Sequence, residues 1–480
     1  MSEVAALFTM AESGVGIEGL PGALGALREF DLGLYECMVL RADALFEVVQ
    51  ALCTDAAPVA SLADLSLALT AERGHGAWYD ALARGAVDQD ALFTLAVGSG
   101  VRRSGRRLQF AVDVSNWLRP EAHCSPGRLY CHVSGCSGGM PGWQWSWLVA
   151  LEPGRSSWVV PLEVRRLEPD GLDANEMAAQ QIRAVWERLL ERGAWVPGDP
   201  VPVFFLDAGY SGAVLQDLLV DVPAHIVVRL KSRQVFYGRP PQRLPGAPGR
   251  TLRHGTRLGL QAPEPAPDET ATWEGDRYGQ VHLRAWQAYH PELFRGYDGY
   301  WLRTYPKGTP LPIRECTVIH VTVERLPRGT AAPASLWLWH HGPEPLDPRT
   351  CWSGYLRRFD IEHFFRFVKG QLGWTTYRPR GPEQAARWTA LVMAGYLRLH
   401  LARGLVRDQR RAWESRPRTA SLSPVRVRRG FPRLHRQLSS PAQHAKPSHP
   451  GPGRPPGRTS TPAQHHPTHR KPKRQPATKS

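Results

Sequence analysis

No stretch of roughly 18 apolar residues occurs in this 480-residue chain, so no membrane-spanning helix is expected. The opening segment, MSEVAALFTMAESG, has no positive stretch ahead of an apolar core and does not read as a secretory signal. Cysteine is sparse: Cys37, Cys53, Cys124, Cys131, Cys136, Cys316 and Cys351 make an odd count in a long chain, which argues against a disulfide-stapled secreted scaffold. His123, Cys124, Cys131, His132 and Cys136 lie near one another. They contain no C-x-x-C pair and sit in a Gly-rich stretch, so a loop with reduced thiols is expected rather than a zinc site. The segment Asp207-Ala208-Gly209-Tyr210-Ser211-Gly212 lacks the G-x-S-x-G elbow, and no motif places a histidine partner, which sets a serine hydrolase aside. There is no internal repeat. A reducing, cytoplasmic setting is the expectation.

Acidic residues are missing altogether from residues 415–480, where there are 15 Lys/Arg. Residues 1–100 are the reverse, with 4 Lys/Arg against 14 Asp/Glu, and residues 101–414 carry 41 against 30. The formal net charge is +16. A basic middle followed by a basic end suits a polyanionic partner, most simply nucleic acid. A basic end can also be only a solubilising, disordered tail, and nucleic acid is the favoured reading.

Along the chain, residues 1–104 read as helical, and their acidity weighs against a phosphate-facing role. From Leu108 the pattern changes to apolar β-type runs: Leu108 to Asp113, Trp143 to Leu151, Ser157 to Val164, Val201 to Asp207 and Ala224 to Leu230. A Gly/Pro/Cys loop is expected over residues 119–142. Between the strands lies an amphipathic helix from Asp173, its N-cap, to Arg192. Residues 238–270, rich in Pro, Gly and Arg, read as a long loop, and strand-like runs return at Gln280 to Ala285 and Cys316 to Val323. A helix is expected from Pro382 to Arg403. Together these predict a mixed α/β layered domain. From about residue 415 no apolar period remains, and disorder is expected.

Tyr355 to Lys369 has the most informative pattern. Wound as one helix, Tyr355, Arg358, Glu362 and Lys369 fall on a single face, while Ile361, Phe364, Phe365 and Val368 form an apolar stripe beside it. A carboxylate flanked by two cations and a phenol suits a metal ion and a gripped phosphate. A plain surface helix with a Glu362–Arg366 pair at i, i+4 is the alternative. Asp113 and Asp207 each end a buried strand, where ligand sites of open α/β sheets gather. Three carboxylates drawn from three elements would repel unless cations relieved them, and divalent cations do that with oxygen ligands.

Asp113, then Asp207 followed by Ala-Gly-Tyr, then Tyr-x2-Arg-x3-Glu-x6-Lys at Tyr355, Arg358, Glu362 and Lys369 resemble the DDE transposases of bacterial insertion sequences. The resemblance is to the branch with a Y-R-E-K signature and covers about residues 105–405. It implies a ribonuclease-H-like α/β catalytic core over residues 105–231 and 334–405, broken by a β-rich insertion at 232–333. An N-terminal helical domain, 1–104, would precede the core, and a disordered basic tail, 406–480, would follow it. It implies two Mg²⁺ ions, with Mn²⁺ able to substitute, on Asp113, Asp207 and Glu362. It also implies DNA contacts by Tyr355, Arg358 and Lys369. Arg366, Arg229 and Lys231 are further candidate DNA contacts. The expected activity is cleavage and joining of double-stranded DNA at an element's ends by a homodimer at the nucleoid, with no membrane. A non-catalytic DNA-binding descendant of such an enzyme is the alternative.

Overall fold

A computed structural model of the chain describes residues 20–154, 156–242, 252–263, 265–296, 299–327, 334–414, 421–447, 457 and 462–469. The acidic front forms helices α1 (Leu20–Glu36), α2 (Ala42–Thr54), α3 (His75–Arg84) and α4 (Gln89–Gly100). The apolar runs that follow become β1 (Gln109–Leu118), β2 (Arg128–Val133), β3 (Cys136–Leu151) and β4 (Val159–Leu167). Next come α5 (Ala174–Glu191), β5 (Val203–Leu206), α6 (Gly212–Leu218) and β6 (His225–Arg229). The expected N-cap of α5 is in place. Asp173 accepts from the Glu176 amide while the Glu176 carboxylate accepts from the Asp173 amide, a capping box.

Strands β7 (Val235–Tyr237), β8 (Glu269–Gly275), β9 (Gly279–Pro291), β10 (Cys316–Val323) and β11 (Ala334–His341) continue the chain. Helices α7 (Pro348–Arg357), α8 (Asp360–Gly370), α9 (Pro382–Ala402) and α10 (Pro424–His435) come next, and β12 (Thr468–His469) is the last described strand. One mixed sheet joins the strands in the order β7-β9-β10-β11-β6-β5-β1-β3-β2-β12, with β8 on β9 and β4 on β3. β1, β5 and β6 are parallel to one another, and β11 pairs antiparallel with β6, so the strands of residues 235–323 extend the sheet that carries the acids. This mixed α/β architecture fits the expected ribonuclease-H-like core.

The front helices do not stand apart. α1, α2 and α4 pack on α9, and their apolar residues share one core with the sheet. One ionic contact within it is fully buried: Arg398 of α9 grips Asp31 of α1 through two hydrogen bonds of 2.7 Å.

Three expectations are corrected. Residues 119–142 are not all loop. A hairpin at Val133 and Cys136 turns through Gly135, whose φ of +80° suits a residue without a Cβ. Tyr355 to Lys369 is not one helix. Arg358, Ile361 and Glu362 donate their amides three residues back, to Tyr355, Arg358 and Phe359, and this tighter turn separates α7 from α8. Third, the basic end is not disordered throughout. In α10, Val427, Phe431 and Leu434 recur at helical spacing and are buried against the α2–α9 pair, although arginines dominate the segment. Parts of the expected loop 238–270 and of the basic tail lie outside the described residues.

Candidate active site

Strand register brings the first two acids together. Val112 of β1 is the partner of Leu206 in β5, and each is followed by an aspartate. Asp113, inside β1, and Asp207, just past the end of β5, therefore stand at the same level on adjacent parallel backbones about 5 Å apart; β1 runs on to Leu118, so Asp113 does not end its strand as expected. Asp207 is held by its own turn, its Oδ1 accepting from the Gly209 amide at 2.8 Å. The Ser211 amide that follows donates to Asn175 Oδ1 of α5, which ties that turn down.

Glu362 reaches the same place because of aromatic packing. Trp147 of β3 lies directly across from Asp113. Its ring meets Phe364 of α8 at 5.1 Å and Trp374 at 5.2 Å, both edge-to-face. Ile361, Phe364 and Val368, the expected apolar stripe, are fully buried. α8 is thus pressed onto the sheet beside Asp113, with Glu362 on its first turn. Helix α7 comes equally close. A Cβ at Gly354 would fall on the Phe205 ring, two residues before Asp207.

Arg358 sits at the junction of α7 and α8 and donates from Nη1 to Asp113 Oδ2 at 2.8 Å; each side chain is only 14% exposed. Its guanidinium lies over the buried Tyr355 ring, 5.6 Å from the centroid. Burial raises the Asp113 carboxyl, and the neighbouring Asp207 and Glu362 raise it further. They outweigh the Arg358 cation and bring the pKa to about 6. Burial opposes the charge on Arg358, yet Asp113, Tyr355 and Asp207 hold its pKa above the ordinary value. The Lys369 ammonium lies 5.6 Å from the Trp374 ring and 5.9 Å from Phe365. Burial lowers its pKa, while Glu362 and Asp113 act in the opposite direction.

Six of the residues singled out in the sequence therefore share one electrostatic neighbourhood: Asp113, Asp207, Glu362, Arg358, Lys369 and Tyr355. Arg366 is exposed and makes no ion pair with Glu362. Arg229 and Lys231 border a groove of about 560 Å³ that begins at Ala208 and Gly209, just after Asp207, and continues to Phe294 and Trp301. Sequence reasoning carried Tyr210 only as part of the motif after Asp207 and gave it no place in the site. It is buried, and its phenol is pushed well up by burial and by Asp113 and Asp207. Its only signal was its place three residues after an acid.

The donors suit a hard divalent cation, since the three acids offer only carboxylate oxygen. As the side chains stand, however, no three His, Cys, Asp or Glu residues among those described are close enough to hold an ion. Arg358 supplies the positive charge that Asp113 faces. The set fits such an ion in the chemistry of its donors, and ligation by Asp113 through both oxygens requires Arg358 to let go.

Nothing matches the chain among curated proteins. A sequence model of one family, the DDE superfamily endonucleases, matches residues 33–292. That span is a little over half of the chain. It takes in α2 to β9, with both sheet-borne aspartates, and ends before Glu362. By this match, over the fold that sets Asp113 beside Asp207, the chain belongs to the DDE superfamily endonucleases.

Proposed function

We propose that this endonuclease is a transposase that cleaves and joins DNA strands at the two ends of an insertion sequence, with Mg²⁺ held by Asp113, Asp207 and Glu362. The observation that carries the reading is that the register of β1 on β5 sets Asp113 beside Asp207 while α8, with Glu362 on its first turn, packs on Trp147 across from Asp113. Ordinary structural acids do not gather this way, because like charges raise one another's protonation cost. Members of the family typically use divalent metals. Two Mg²⁺ ions, when bound, would supply activation of the attacking oxygen and stabilisation of the leaving one.

The protein's own part is positioning and charge. Strand register sets Asp113 and Asp207 side by side, so side-chain rotation and the release of Arg358 are what remain to complete the site. Arg358, once released from Asp113, has a planar fork able to grip a phosphate through two bonds, and Tyr355 gives it a flat shelf. Lys369 adds a point charge on the far side of Glu362. Arg229 and Lys231 lead DNA away along the groove after Asp207. Action on two element ends calls for two catalytic centres, hence a homodimer on DNA. Water or a 3′-hydroxyl serves as nucleophile, and no covalent protein–DNA link is involved.

The test is nicking and strand transfer on DNA carrying the element's ends, with Mg²⁺, Mn²⁺ or EDTA. Asp113→Ala, Asp207→Ala and Glu362→Ala should each cut activity on the order of a thousandfold or more while DNA binding persists. Full cleavage by all three variants would overturn the assignment.

A further inference from the structure

The basic end of the chain holds a folded surface that the family match does not reach. α10 is anchored through one face. Arg428, 1% exposed, donates to the Leu52 carbonyl of α2 at 2.8 Å and to the Gln371 carbonyl at 3.0 Å. Gln371 is the C-cap of α8, the helix that bears Glu362 and Lys369. Phe431 lies under the Arg398 guanidinium, 5.0 Å from its ring centroid. A Cβ at Gly430 would run into Val406 and the Arg407 carbonyl, so the segment leaving α9 lies flat against α10.

The opposite stripe of α10 carries Arg426, Arg429, Arg433 and Arg436, spaced so that they follow one another along the helix and just past its end. The segment 407–414 covers the first half of that stripe. Asp408 takes Arg426 at 2.8 Å and Glu414 takes Arg429 at 2.6 Å. Those are the only two acids in residues 404–480, and both are spent inside this contact. Arg407, Arg410, Arg411, Arg433 and Arg436 are left exposed, with no acidic partner among the described residues. Among them stands Trp413, 79% exposed, with the Arg411 guanidinium 5.6 Å from its ring. This turn sets a flat apolar ring among cations, a pairing with which nucleic-acid surfaces are built.

We propose that this face of α10, together with the turn at Arg410–Glu414, is a second DNA-binding surface. It holds duplex DNA by its phosphates through Arg410, Arg411, Arg433 and Arg436, with Trp413 against the sugars. Arg428 ties this surface to the C-terminal end of α8, so duplex held here keeps a set relation to the carboxylates. The inference rests on the reading of the chain as an enzyme acting on DNA.

The test uses the full chain in EDTA, with binding of a fluorescent duplex followed by anisotropy across a salt series. Arg433→Gln with Arg436→Gln, and separately Arg410→Gln with Arg411→Gln, should each weaken binding about tenfold at 0.15 M salt. Each pair should also flatten the slope of log affinity against log salt by about 1.8. Trp413→Ala should weaken binding severalfold and leave the slope unchanged. Because EDTA keeps strand cleavage off, the assay reads binding alone, which keeps this test separate from the catalytic one. Wild-type affinity and slope in both arginine pairs, with unchanged thermal melting, would overturn the surface and leave the carboxylate site untouched. Equal losses on heparin, with no effect of Trp413→Ala, would also overturn it, by reducing the surface to a general polyanion trap.

Discussion

The two charged regions of this molecule are built on opposite plans. At the carboxylate site, charges of both signs are mostly out of water and three have set partners: Asp113 faces Arg358, Arg358 the Tyr355 ring, and Lys369 the Trp374 ring. On the α10 face, the arginines that are answered serve to fasten the turn 407–414, and the rest stand in water. Burial makes the first region costly to disturb, because a desolvated charge that loses its partner keeps its desolvation penalty. Exposure makes the second weak per residue but additive and sensitive to salt. The first plan suits chemistry at one phosphorus, and the second suits holding a long anion.

The comparison is broken most sharply by Arg358→Gln. Loss of that single guanidinium should cut DNA cleavage on the order of a hundredfold or more, yet change the salt slope of binding by no more than about 0.9, the share of one phosphate contact. Paired glutamines at Arg433 and Arg436 should do the reverse, leaving cleavage at saturating DNA near wild type. Single-turnover cleavage together with salt-dependent binding separates the two. If Arg358→Gln and the paired variant lost the same function, the two regions would not be distinct.

The bolt between the regions gives the next largest effect. Arg428→Met leaves the Leu52 and Gln371 carbonyls without their buried donor and should cost about 2–4 kcal/mol in urea unfolding. Deletion of residues 415–480 should be worse, because it removes α10 from the α2–α9 face; deletion of 448–480 should be far milder. Equal stability of the two truncations would mean that α10 contributes nothing to the core.

Gly354→Ala tests how closely α7 must approach the sheet. The added Cβ falls on Phe205, which is fully buried in β5, so a loss of about 1–3 kcal/mol is expected, with reduced cleavage as Arg358 is displaced. Cleavage and stability both at wild-type levels would show that this contact does not set the site.

The smallest effect is a pH dependence away from both regions. Burial would raise the Glu152 carboxyl, but His400 and Arg403 outweigh it and bring the pKa to about 2. A carboxyl depressed in the folded state adds stability above its unfolded pKa of about 4.3, and that stability is lost as pH falls through 2. Glu152→Gln should therefore flatten the acid side of the stability curve between about pH 4.5 and pH 2, by about 2 kcal/mol. An unaltered acid limb in that variant would remove Glu152 from the account.

Much of the site was readable because its parts are local. The apolar runs before Asp113 and Asp207, and the stripe Ile361, Phe364 and Val368, encode a strand or a helix face within a few residues. Three things were not readable. The tight turn at Arg358 is set by how α7 and α8 seat on the sheet. The burial of α10 depends on a face presented by α2 and α9, and composition hid its few apolar residues among arginines. The place of Tyr210 beside two acids was not readable, because its burial against Asp113 and Asp207 depends on how the strands pack.

The sequence by itself determined the alternation of strands and helices, the charge division along the chain and the acid that follows β5, since all of these follow from short-range pattern and residue chemistry. Tertiary structure alone decided that Val112 pairs with Leu206, that Arg358 faces Asp113, and that Arg428 joins the basic end to the helix of Glu362. Those contacts link residues tens to hundreds of positions apart. Only the packing of buried surface selects such partners from the many that the same residue types would allow.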